Sequence, residues 1–228
     1  MQREFESVTH ERERGNMSKI LTIGANGQIG RLFCQKAKNA ELPIRAMVRN
    51  EEQRARFEAQ GIEAVVGDLE GDFFHAFDGC DRVVFTAGSG GSTGGDKTIL
   101  VDLYGAIRSI AECEARGIAH FVMVSALRAE QPLEAVPAMR HYMVAKLLAD
   151  QRLIESSVLA TVLRPGRLTD APGSGRVRTS AAAGEGFDIS RENVADCVLE
   201  ALRQPPKINR VVDLLDGDTP IAEVFAQG

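Results

Sequence analysis

Tyr142 and Lys146 stand four residues apart in Tyr142-Met143-Val144-Ala145-Lys146, a stretch expected to be helical, so both side chains fall on one helix face. A phenol titrates near ~10, too high for ready proton exchange at neutral pH. A neighbouring ammonium favours the phenolate and brings that value down. Seventeen residues earlier (142 − 125 = 17) an apolar run ends in Ser125, whose hydroxyl can orient the oxygen that the phenol protonates or deprotonates. Ser125, Tyr142 and Lys146 form the candidate catalytic set; a packing tyrosine beside an exposed lysine is the alternative. His141 next to it is read as a solvated helix histidine.

A second constellation suits a cofactor. Gly24-Ala25-Asn26-Gly27-Gln28-Ile29-Gly30 spaces its glycines at i, i+3 and i+6, between an apolar run over 20–23 and a helical period opened by Leu32, Phe33 and Ala37. Strand, glycine turn and helix together are the setting of a dinucleotide fingerprint. Gly24 allows the sharp turn out of the strand, Gly27 lets backbone approach a pyrophosphate, and Gly30 lets the helix pack closely. Free N–H groups at the helix start, with the positive end of its dipole, hold the phosphates. At the end of the second strand, where an NAD site places an acid, the chain has Val48-Arg49-Asn50. The planar fork of Arg49 suits a 2′-phosphate, and Arg31 adds charge. NADP(H) is therefore the expected cofactor, with NAD(H) as the alternative.

The elements that position these residues alternate along the chain. Strands are expected over 20–23, 44–48, 62–66, 82–86, 120–125, 159–163 and 210–214. Helices are expected from Leu32, over 51–60, 96–116 and 139–155, and from a Ser190 cap to Arg203, with a terminal turn over 221–225. Gly61 and Gly117 are helix stops. Loops cover 87–95 and 126–138, and 167–187 reads as a long glycine- and serine-rich loop with one short strand. This alternation implies an α/β fold, a doubly wound parallel sheet (Rossmann fold) in a single domain, with right-handed crossovers. Residues 1–16 are charged and aperiodic and read as a disordered N-terminal extension, with Met17 an alternative start and a docking helix the other reading. Residues 17–228 are the NAD(P)-binding domain.

Composition narrows the classes further. The 228 residues carry a net charge of −5, so no basic face for nucleic acid is expected. No apolar run reaches the roughly 18 residues of a membrane span, and no secretory signal is visible. Cys34, Cys80, Cys113 and Cys197 are widely spaced, which fits reduced core thiols in a soluble, cytoplasmic protein and no metal-ligand set.

The glycine loop, and Tyr142-x-x-Ala145-Lys146 followed by Leu163-Arg164-Pro165-Gly166, resemble the short-chain dehydrogenase/reductase superfamily. The likeness spans 18 to about 216 and is to its small atypical, NmrA-like members, often labelled epimerases or NAD(P)-binding proteins. It implies cofactor contacts at Gly24, Asn26, Gly27, Gln28, Ile29, Gly30, Arg49, Asp68, Leu69, Ala87, Gly88, Lys146 and Pro165. In particular, Asp68-Leu69 would meet adenine, Thr86-Ala87-Gly88 would pass beneath the cofactor, Pro165 would flank nicotinamide, and Lys146 would also bind the nicotinamide ribose. Extended members carry an asparagine in V-N-x-x-G-T, where this chain has Val101-Asp102-Leu103-Tyr104-Gly105-Ala106, which puts a proton relay through that position in doubt.

The resemblance implies an NADP(H)-dependent oxidoreductase acting on a small carbonyl, quinone, flavin or related substrate. A non-catalytic NADP(H)-binding redox sensor and an NAD-dependent epimerase or dehydratase are the alternatives. True sugar-nucleotide epimerases add a sizeable C-terminal lobe, whereas only 64 residues follow Arg164 (228 − 164). The expected partner is a small-molecule substrate, with neither nucleic acid nor membrane, and a homodimer through the helices from 96 and 139 stays open.

Overall fold

The computed structural model describes residues 19–91, 93–180 and 186–226, so the expected extension over 1–16 and Met17 lie outside the described residues. Eleven strands form among them: β1 (Lys19–Ile23), β2 (Ile44–Val48), β3 (Glu63–Val66), β4 (Cys80–Phe85), β5 (His120–Val124), β6 (Ala160–Pro165), β7 (Arg167–Thr169), β8 (Arg176–Arg178), β9 (Asp188–Ser190), β10 (Arg210–Asp216) and β11 (Thr219–Pro220). Seven of them run parallel in the order β3-β2-β1-β4-β5-β6-β10. The order reverses at β1, which opens a crevice between the turns that leave β1 and β4.

The helices are α1 (Gln28–Asn39), α2 (Glu51–Ala59), α3 over 95–116, α4 (Arg140–Ile154), α5 (Arg191–Arg203) and α6 (Ile221–Phe225). One face of the sheet is covered by α1 and α5 through Phe33, Cys34, Val194 and Val198. The other is covered by α3 and α4 through Ala106, Ile110, Ala149 and Leu153. Each fully buried Phe or Leu side chain contributes about 1.5–3 kcal/mol, so the two layers anchor the strand ends that carry the site. Caps fix where the helices begin and stop. Asn50 Oδ1 accepts from Gln53 N at 2.9 Å to open α2, Ser190 Oγ accepts from Asn193 N at 3.0 Å to open α5, and Gly117 at φ 66° closes α3.

Two departures from the sequence reading share one cause. Residues 167–187 hold β7 and β8 rather than one short strand, and β9 follows at once. The sheet is also not parallel throughout, because β8 pairs antiparallel with β10 and β11. After β6 the chain has no helix to carry it back over the sheet. It returns instead through Pro172-Gly173-Ser174-Gly175, and a tight return reverses strand direction.

Cys34, Cys113 and Cys197 are buried free thiols and Cys80 is half-buried. Burial pushes the Cys34 thiol up to about 12, with the Thr22 hydroxyl pulling weakly the other way, so it is inert near neutral pH. No helix among the described residues is long and apolar enough to cross a membrane. The outer faces of α3 and α4, where a second copy was expected, expose Ile99, Tyr104, Val144 and Leu148.

Candidate active site

The turn out of β1 is set by two glycines. Gly24 sits at φ 87°, and a Cβ there would press into the backbone of Ala87. A Cβ on Gly30 would collide with the Gly24 carbonyl, so α1 lies against the turn only because Gly30 has none. The first bond of α1 runs from Arg31 N to the Gly27 carbonyl at 2.9 Å. The N–H groups of Gln28, Ile29 and Gly30 are thereby left at the helix end, with no side chain capping them. This is an anion cradle, and a pyrophosphate fits it.

Beside the cradle a cleft of about 320 Å³ runs along the strand ends. Its walls include Gly24, Asn26, Gly27, Arg49, Asp68, Leu69, Ala87 and Gly88, eight of the expected cofactor contacts. Gln28, Ile29 and Gly30 are not among the walls: the Ile29 side chain packs into the core, and all three face the ligand side through backbone. The Arg49 guanidinium is exposed and makes no ion pair or hydrogen bond to the described residues. Its backbone N–H donates to Gln53 Oε1 at 3.0 Å, so the first turn of α2 fixes the bend that carries it. Asp68 Oδ1 accepts from Glu70 N at 2.9 Å and shapes the turn after β3. Across the mouth Lys97 Nζ pairs with Glu70 at 2.7 Å, tying the start of α3 to that turn. Arg31 does not reach the cleft.

Beyond Gly88 and Val101 the construction changes. Lys146 is buried on α4, where its Nζ lies 3.4 Å from Asp102 Oδ1 and donates to the Val124 carbonyl at 3.4 Å. Asp102, 1% exposed, sits in Thr98–Tyr104, a stretch of α3 wound as π-helix, a winding frequent at functional sites. The Tyr142 ring, half-buried one turn before Lys146, has its centroid 5.5 Å from Nζ. Burial alone would lower the pKa of the Lys146 ammonium, but the Tyr142 phenol, Asp102 and Asp150 outweigh it and hold the group above its ordinary value. Lys146 is therefore charged at neutral pH.

One turn further along α4, Asp150 is as buried as Asp102 and accepts from Arg164 Nε at 2.9 Å. Arg164 also pairs with Glu130 at 2.6 Å. Burial pushes the Asp150 carboxyl up, while the Ser125 hydroxyl, Arg164 and Lys146 pull it down without cancelling that effect. Ser125 Oγ approaches this carboxylate without completing a hydrogen bond. Asp102 Oδ1, Ser125 Oγ and Asp150 Oδ1 are three of only six buried side-chain polar atoms left without a hydrogen bond among the described residues. Native proteins seldom leave such atoms unpaired, and a group of them marks a site that is completed by a ligand.

Pro165 ends β6 and accepts from Leu127 N at 2.9 Å, which holds the turn after β5 against the turn after β6. Ser125, Tyr142, Lys146 and Pro165 thus lie on one side of the cleft, outside its walls. Asp150, Gln53, Lys97 and Glu70 escaped the sequence reading. Asp150 had a usable signal, since it stands at i+4 from Lys146 on the same helix face. Lys97 and Glu70 had none, because only the fold brings two distant loops together.

Residues 24–205 match the NAD(P)H-binding family. The Bacillus subtilis protein YhfK, named an uncharacterised sugar epimerase, is 49% identical over 211 residues, covering 91% of this chain and 98% of its own. A Bacillus halodurans structure provisionally named an NAD-dependent epimerase/dehydratase superposes with a TM-score of 0.87 at 45% identity, over 92% of this chain and 100% of that one. The oxidoreductase ylbE of Lactococcus lactis superposes with a TM-score of 0.79 at 25% identity, over 92% of this chain and 95% of its own.

Proposed function

The chain belongs to the NAD(P)H-binding family, within the atypical short-chain dehydrogenases/reductases, and on that premise we propose that it is an NADPH-dependent reductase with Tyr142 as its proton donor. The observation that carries this reading is the cluster of unpaired buried polar atoms around a charged lysine, one helical turn from a half-buried tyrosine. A packing tyrosine needs no such neighbours. When bound, NADPH supplies a hydride to the carbonyl carbon of a substrate. Tyr142 gives its hydroxyl proton to the carbonyl oxygen, and the phenolate regains a proton from solvent. Ser125 Oγ, free of other partners, orients that oxygen, while Lys146 holds the phenol and the ribose.

The Gly27 turn and the N–H groups of residues 28–30 would hold the pyrophosphate. Arg49, exposed at the cleft wall and unpartnered, would take the 2′-phosphate, which supports NADP(H) over NAD(H).

The names of the relatives raise epimerisation as a second reading. Against it, the described residues after Arg164 go into the sheet edge and into α5 and α6, and build no lobe for a nucleotide diphosphate. A screen of NADPH oxidation against carbonyls, quinones, flavins and tetrapyrroles tests the proposal. Turnover with at least one class that depends on Tyr142 is the expected result. Tight NADPH binding with no turnover across the screen would favour a redox sensor, and turnover independent of Tyr142 would point to hydride transfer without a side-chain acid.

A further inference from the structure

Asp102 is held from two sides. Its Oδ2 accepts from Ser89 N at 2.8 Å, and its Oδ1 faces Lys146 Nζ at 3.4 Å. Gly88 lies so close that an added Cβ would stand 3.1 Å from Oδ1. The π-winding of Thr98–Tyr104 carries the carboxylate into this slot, between the loop after β4 and α4. An asparagine here could make the Ser89 hydrogen bond equally well. Only the aspartate also puts a full negative charge beside the ammonium.

The charges facing this point come from four elements. Asp102 comes from α3, Lys146 and Asp150 from α4, and Arg164 from β6, with Glu130 of the loop before α4 engaged on Arg164. His141, also on α4, packs by Gly95 at the outer end. Arg164 and Glu130 satisfy one another, and Asp150 is shared between Arg164 and Lys146. Asp102 is therefore the one carboxylate in contact with Lys146 that has no second cation.

We infer that Asp102 is a positioning residue that fixes the Lys146 ammonium and offsets its field at Tyr142, so that the phenol reaches a substrate oxygen still carrying its proton. A lone lysine would favour the phenolate, a base suited to removing a proton from an alcohol. A lysine paired with a buried carboxylate keeps the donor charged with its proton, which suits reduction. The same carboxylate grips Ser89, so the loop beneath the cofactor and the ammonium above it are set by one side chain. The inference rests on Tyr142 as proton donor and narrows that role to one direction of transfer.

The chain holds two tyrosines and no tryptophan, so ionisation of Tyr142 can be read without any substrate. In the Tyr104→Phe background the tyrosinate absorbance reports Tyr142 alone. Asp102→Asn should lower the pH of half-ionisation by roughly one unit, a tenfold change in proton affinity. Asp150 remains near the ammonium and limits the shift. Lys146→Met should raise the midpoint, and the double variant should return close to the parent, because the two removed charges cancel. Coincident curves for Asp102→Asn and its parent would overturn the inference, and so would a double variant displaced as far as either single one. The titration does not depend on turnover. An inactive protein that shows the shifts loses the reductase reading and keeps the division of charge; an active one without them loses the division alone.

Discussion

The cleft between Gly24 and Lys97 and the cluster between Asp102 and Arg164 lie along the same edge of the sheet, yet they are made of different material. The cleft uses backbone N–H groups, glycine turns and exposed charge: Arg49 is open to solvent, and the Lys97–Glu70 clasp is partly so. The cluster uses buried side chains, with Asp102, Asp150 and Lys146 all at 4% exposure or less. A phosphate-bearing ligand arrives with its own charge and needs donors already in place and accessible. A proton donor needs its surroundings to set its charge state, and charges act strongly only away from water. The contrast teaches that affinity and reactivity can be altered separately here, because few residues serve both ends.

The largest effect that would sharpen this contrast is on stability. Lys146→Met leaves Asp102 buried without its cation, and breaking such a pair costs about 3–5 kcal/mol. Urea unfolding should register that loss. The double variant Lys146→Met, Asp102→Asn should recover much of it. Arg49→Ala, at the open end, should leave the unfolding curve unchanged. A stable Lys146→Met protein would mean that the cluster is no more demanding than the cleft.

His120 offers a control away from both ends. It is buried at the start of β5, its Nε2 is 2.9 Å from Thr161 Oγ1, and burial, with Arg82 adding, lowers its pKa to about 4. The unfolded chain takes up the proton near pH ~6.5 and the folded one only near 4, so the contribution is complete above ~6.5 and is lost as pH falls toward 4. The loss is at most about 3 kcal/mol. His120→Gln should remove this slope between pH 6.5 and 4 in acid unfolding. An identical slope in the variant would locate the acid sensitivity elsewhere, with the buried carboxylates of the cluster the next suspects.

A smaller effect belongs to the cleft. Arg49→Ala should weaken NADP(H) by roughly 1.5–3 kcal/mol, about tenfold to hundredfold, and leave NAD(H) nearly unchanged by calorimetry. Equal affinity of the parent protein for both cofactors would remove Arg49 from phosphate recognition and blur the proposed division between the ends.

The sequence exposed the cleft more fully than the cluster, for a physical reason. Glycines at fixed offsets after an apolar run report a local backbone requirement, so Gly24, Gly27 and Gly30 were legible along with the strands they join. The order of seven parallel strands followed from strict alternation, whereas the antiparallel edge did not, because β8 is three residues long and lacks an apolar period. In the cluster, Tyr142 and Lys146 were legible as a helical pair. The coupling of Asp102 to Lys146 was not, since residues 44 apart in sequence (146 − 102) meet only after α3 and α4 pack on the same face. The departure at Asp102 was visible as a change of residue; what that carboxylate faces required the fold.

The central claim is that one end binds and the other reacts, and a single comparison tests it: NADPH affinity and turnover measured on the same preparation of Tyr142→Phe. The substitution keeps the ring and its packing and removes only the hydroxyl. Binding should match the parent protein, because the phosphate cradle and Arg49 are untouched. Turnover of a carbonyl substrate should fall by roughly 100-fold to 10,000-fold, the usual contribution of a general acid. Undiminished turnover with NADPH still bound would contradict the account, and the buried charges around Lys146 would then serve the fold alone.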